Sequence, residues 1–205
     1  MADERVDEAL EQVRRMQAAV RDRLRFRGFS GRARMAGGFV ALAGATVLAR
    51  LDLPAAPHPH LVGWALVLVL AAGLNYGALL FWMASAGRWR RPAEWLPALE
   101  SLPPLAVGGV VSLALVGAGQ YDLLPGIWML CYGLVHMAYR RNLPRGVYAV
   151  GFFYLAAGAA CLLAPGVCFT DPRPMGVVFG LGEIAGGLAL RGGAGEETGD
   201  DGTHA

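Results

Sequence analysis

The chain has 205 residues, of which 55% are hydrophobic and 17% charged, with a mean hydropathy of +0.42 and a formal net charge of +2. A soluble domain of this size would have too little polar surface at such a composition, so a membrane protein is expected. So small a net charge, carried by arginines that sit beside apolar runs, excludes nucleic-acid binding.

Residues 1–34 come first in the chain and hold no long apolar run. Val6, Leu10, Val13, Val20 and Leu24 follow three- and four-residue spacing, with Gln17 in the seam, which predicts an amphipathic helix over 3–27. Asp3, Glu4, Asp7, Glu8 and Glu11 precede the arginines, an order that suits the helix dipole. Two uses stay open: a juxtamembrane helix lying on anionic lipid, or a docking surface for a protein partner or a second copy. No apolar run precedes a small-residue cleavage site, so no removable signal peptide is expected, and the first span would serve as its own insertion signal.

Six apolar runs follow, at 36–53, 61–85, 102–118, 122–139, 147–165 and 175–191. A helix needs about 17–25 such residues to cross the hydrocarbon core. Backbone groups in lipid must be satisfied internally, and the runs lack the alternation of barrel strands. The expected fold is an all-α polytopic transmembrane bundle over residues 35–191, preceded by the amphipathic helix and followed by an acidic, Gly-rich tail, 192–205, that reads as disordered. Every basic residue is Arg, and all but Arg50 and Arg173 fall in the N-terminal segment, in the loops after the second and fourth runs, or at Arg191. That asymmetry places both termini in the cytoplasm, in a bacterial inner membrane. Tyr121, Trp64, Trp82, Trp89, Trp95 and Trp128 lie near run ends, as an aromatic belt would have them.

Polar residues inside the runs are the candidate site, because an ionisable group at membrane depth is disfavoured by about 2.5 kcal/mol or more. Glu183 sits centrally in the sixth run and Asn75 in the second, so the two, with Tyr76, are expected to meet at one depth. With no Arg expected at that depth, Glu183 would act as a hydrogen-bond donor, either as structural glue or as a proton or cation carrier. His136, one turn from the end of the fourth run, is expected at the headgroup interface. His58 and His60, near Asp52, are an incomplete zinc set with no fourth ligand, so no metal is expected. Cys131, Cys161 and Cys168 form neither a CxxC pair nor an even framework and read as unpaired thiols. No nucleophile–base arrangement occurs at a shared depth, which disfavours an enzyme, and no cofactor is implied.

The segments Tyr132-Gly133-Leu134-Val135-His136-Met137-Ala138 and Phe179-Gly180-Leu181-Gly182-Glu183-Ile184-Ala185 are locally alike, and Asn75-Tyr76-Gly77 offers a shorter match. With the Gly- and Ala-rich odd runs, this suggests three helical hairpins in parallel repetition. The stretches 25–45, with Ser30-Gly31 before a Gly- and Ala-rich first span, 129–138, 164–166 and 176–187 also resemble an uncharacterised family of bacterial six-span integral membrane proteins with an amphipathic N-terminal helix. The resemblance covers most of the chain and implies the six-span architecture, but no chemistry. It departs at Glu183, where the family usually has His. The function expected from the residues is a membrane-embedded interaction or regulatory protein, with the lipid bilayer and a protein engaged by residues 3–27 as partners. The alternative is a small transporter of protons, a cation or a small solute that uses the midplane carboxyl.

Overall fold

A computed structural model describes residues 10–13, 16, 28–51, 53–54, 56–85, 99–138, 143–164 and 166–195. Among them the secondary structure is helical throughout, with no strand. The helices are α1 (Gly31–Arg50), α2 (Pro57–Ser85), α3 (Leu102–Gly117), α4 (Leu124–Ala138), α5 (Arg145–Leu163) and α6 (Arg173–Gly195), with a 3₁₀ turn, Tyr121–Leu123, before α4. Each of the six apolar runs therefore contains one helix. Three are long and apolar enough to cross a membrane: Pro57–Ser85, Arg145–Leu163 and the Arg173–Gly192 stretch of α6. Helix α3 is apolar but shorter, and α1 carries Arg32 and Arg34 in its first turn. Most of the 3–27 helix lies outside the described residues; Leu10–Val13 and Met16 are helical. The last turn of α6 extends into the segment expected to be disordered, and residues 196–205 lie outside the description.

Local chemistry sets several boundaries. Ser30 caps α1, its hydroxyl accepting from the Ala33 N–H at 3.3 Å. Proline opens α2 and lies in the first turn of α3, where a missing N–H does no harm. Gly119, with φ of 70°, ends α3 in a left-handed turn. The Gln120 N–H returns to Leu115 O at 2.8 Å and the Gly119 N–H to Val116 O at 3.1 Å, which satisfies carbonyls that the helix leaves open.

Around the bundle the helices are ordered α2, α1, α6, α5, α4, α3. Every neighbouring pair is antiparallel: Gly31 meets Gly187 while Gly38 meets Gly180, and Gly126 meets Gly158 while Gly133 meets Gly151. These glycines recur at seven-residue spacing on each helix and let backbones touch. A Cβ on Gly38 would lie 2.8 Å from Gly180 O, and one on Gly133 3.0 Å from Gly151 O. The pairs α1/α6 and α4/α5 are accordingly the most intimate in the molecule. At the end of the bundle that holds the α1–α2, α3–α4 and α5–α6 connections, Leu48, Trp64, Leu124, Met129, Phe169 and Met175 form the principal core. The Phe169 N–H donates to Asp122 Oδ1 at 2.7 Å and pins the α5–α6 connection to the 3₁₀ turn. Trp64, expected in an interfacial belt, is buried in this core, because α1 and the α5–α6 connection close over it. Trp89 and Trp95 lie outside the described residues.

Candidate functional site: a buried ion pair at a four-helix junction

Four helices each bring one polar side chain to the same place, and each side chain stands three residues after a close-packing glycine. The sets are Gly31 and Arg34 on α1, Gly133 and His136 on α4, Gly151 and Tyr154 on α5, and Gly180 and Glu183 on α6. The glycine draws the backbones together, and one turn later the polar group points into the narrowed junction. Arg34 is 8% exposed, Glu183 6%, His136 1%, and Tyr154 is fully buried.

The groups form a closed circuit. Arg34 Nη2 donates to Glu183 Oε1 at 2.9 Å and also to His136 Nε2. His136 Nδ1 donates to Tyr132 O at 2.8 Å, and the Tyr132 hydroxyl donates back to Glu183 Oε1 at 2.9 Å. Tyr154 adds a longer hydroxyl contact to the same oxygen at 3.3 Å. A guanidinium has no acceptor and a carbonyl no donor, so these partners fix the imidazole with its proton on Nδ1. The rings pack as well: Tyr132 and Tyr154 are edge-to-face at 5.0 Å between centroids, and His136 lies 4.9 Å from Tyr132.

Glycines make room for the cluster. A Cβ on Gly182 would fall on the Tyr154 ring, and one on Gly186 would lie 2.6 Å from Arg34 Nε. That Nε–H is buried without a partner among the described residues. Gly176 and Gly180 face α1 through Ala45 and Leu42, whereas Gly182 faces α5, so α6 uses separate glycine faces for two neighbours.

The structure brings together two of the four residues singled out from sequence, Glu183 and His136. Asn75 and Tyr76 are elsewhere: the Asn75 amide donates to Ala71 O at 2.9 Å within its own helix and lies against Gly37, and Tyr76 is exposed. The expected Glu183–Asn75 contact is absent because α1 stands between α2 and α6. Glu183 accepts from a cation and two phenols instead of donating. Arg34 had been placed outside the first span, but α1 begins at Gly31 and its long side chain reaches inward. His136 is likewise enclosed within the bundle, covered by Arg34 and Tyr154. The residues missed by sequence reasoning were Arg34, Tyr132 and Tyr154. The recurring Gly-x-x-polar spacing was the available signal for Arg34 and Tyr154, and Tyr132 carried none.

His58 packs against Tyr121 at 6.0 Å between centroids, and His60 is buried with no partner for Nδ1 among the described residues, outside which Asp52 lies. Among the described residues no group of three metal-binding side chains comes together. No protein family, curated protein or solved structure matches the chain, so the site is read from its own geometry.

Chemically, the circuit holds one carboxylate balanced by one guanidinium, with an imidazole and two phenols in contact. Removing one partner of such a buried pair destabilises by about 3–5 kcal/mol, because the other charge is left buried without compensation.

Proposed function

We propose that the protein is a six-span integral membrane protein of the bacterial cytoplasmic membrane, and that it works as a small proton-coupled carrier with the Glu183–Arg34 pair as its proton-responsive element. One carboxylate alone makes no pathway. The observation that carries the reading is that Glu183 shares its hydrogen-bond circuit with Arg34, His136 and Tyr132, groups that can accept, donate or balance a proton. Arg34 and Tyr154 stand three residues after glycines on α1 and α5, and His136 and Glu183 do so on α4 and α6, a recurrence that supports reading the chain as repeated hairpins. Carrier sites commonly lie at repeat interfaces. The arginine asymmetry supports cytoplasmic termini.

Liposomes containing the protein, loaded with a pH-sensitive dye and given a proton gradient, provide the test. The gradient should collapse faster than in empty liposomes, and Glu183→Gln should return the rate to that of empty liposomes while the protein remains monodisperse. Proton flux that is equal in Glu183→Gln and the parent would refute the reading. The orientation is tested separately with single cysteines at positions 90, 141, 57 and 170; labelling at 90 or 141 by an impermeant reagent in intact cells would reverse it.

A second reading rests on Leu10, Val13 and Met16, which are helical and exposed at three-residue spacing. In it the bundle anchors a regulatory helix, residues 3–27, that engages a protein partner or a second copy. Loss of co-purifying protein on deletion of residues 1–27, with proton flux unchanged, would favour it.

A further inference from the structure

We infer that the lipid-facing groove between the Arg50 end of α1 and the Arg173 end of α6 binds an anionic glycerophospholipid, its phosphate held by the two guanidiniums and an acyl chain lying in the groove. Arg50 and Arg173 are the two arginines that the charge asymmetry leaves on the side opposite all the others. They stand 123 positions apart in sequence, yet the antiparallel packing of α1 on α6 brings them to one groove of about 220 Å³. Leu42, Ala45, Ala49 and Val177 make the groove walls apolar. The Thr46 hydroxyl is satisfied by Leu42 O at 2.8 Å and asks nothing of a ligand. Below the groove, exposed Val177, Leu181 and Leu188 continue an apolar track along one face of α6.

The charge balance favours an anion. Among the described residues Arg50 has no ion-pair partner and Arg173 meets only Asp171, through Nε at 3.5 Å, in an exposed pair that solvent screens. The terminal nitrogens of Arg173 therefore stay available, and paired guanidiniums recognise phosphate oxygens by charge-assisted hydrogen bonds. A zwitterionic headgroup would bring its own cation to the same place. An apolar groove ending in two cations at a helix end is the complement of an anionic lipid, with chain and phosphate matched in order.

The inference rests on α1 and α6 being membrane-embedded, and alkaline carbonate extraction checks that first: release of the protein into the supernatant would defeat the membrane reading itself. For protein retained in the membrane, the full chain in mild detergent is titrated with dioleoyl phosphatidylglycerol or dioleoyl phosphatidylcholine, and adducts are counted by native mass spectrometry. Phosphatidylglycerol should bind about tenfold more tightly. Arg50→Gln and Arg173→Gln should each weaken it about fivefold, and the double variant should abolish the preference. Ala49→Phe, which fills the groove and keeps both charges, should also weaken binding. Equal affinity for the two lipids, or a preference that survives in the double variant, would overturn the inference. So would full competition by millimolar inorganic phosphate, which would mark a free-anion site.

Discussion

The α1/α6/α5/α4 side of the molecule and the two outer helices, α2 and α3, pack in opposite ways. On the first side, backbones meet at Gly31, Gly38, Gly126, Gly133, Gly151 and Gly180, and the junction encloses the ion pair. On the outer helices, among the described residues, Gly73, Gly77 and Gly109 have no neighbouring atom within 4 Å, and Leu66, Leu68, Val69, Phe81, Val107, Val110 and Leu113 are exposed. Gly73 and Gly77 even have the four-residue spacing of a membrane helix contact, yet among the described residues neither has a neighbour within 4 Å. The difference teaches that glycine spacing marks where close packing is permitted, while a matching glycine on the neighbour decides whether it occurs. It also explains where the charges are. A guanidinium and a carboxylate persist inside the bundle only where the surrounding backbone is tight enough to supply partners for both.

The largest effect should come from breaking the pair. Arg34→Met leaves Glu183 buried without its cation and should destabilise the protein by about 3–5 kcal/mol in reversible detergent unfolding. Adding Glu183→Leu to Arg34→Met should restore much of that stability. A single variant as stable as the parent would mean that the pair contributes nothing to the tight side.

Next come the glycines, which test the contrast directly. Gly38→Leu and Gly133→Leu force side chains onto opposing carbonyls and should each destabilise by about 1–3 kcal/mol. Gly77→Leu should stay within about 0.5 kcal/mol of the parent, since its surroundings are open. Equal effects at positions 38 and 77 would erase the distinction between the two sides.

Smaller changes are expected at isolated polar groups. Trp128 Nε1 donates to Ser112 Oγ at 2.7 Å and joins α3 to α4, so Ser112→Ala should destabilise by about 0.6 kcal/mol, typical of such bonds in membranes. Asn75→Leu should change stability less than that, because the amide bonds only to its own helix. A larger loss at Asn75 than at Ser112 would show that α2 takes part in the polar packing after all.

Much of the architecture was legible along the chain. Each of the six apolar runs contains a helix. The site was half legible. Glu183 and His136 stand out because ionisable groups are rare in apolar runs, but Arg34 looked like one more arginine of a basic N-terminal segment. Tyr132 and Tyr154 looked like ordinary aromatics of a span.

By itself the sequence determined that the chain forms helices and which apolar segments they occupy, though not their first and last turns, because hydrocarbon demands internal backbone hydrogen bonds and apolar side chains. Only the tertiary structure decided that α6 lies on α1 and not on α2, and so that Glu183 meets Arg34, 149 positions away, and not Asn75. The reason is physical: apolar helices have no hydrophobic preference for one another in lipid, so neighbours are chosen by the fit of glycine-lined surfaces, which exists only when both helices are present.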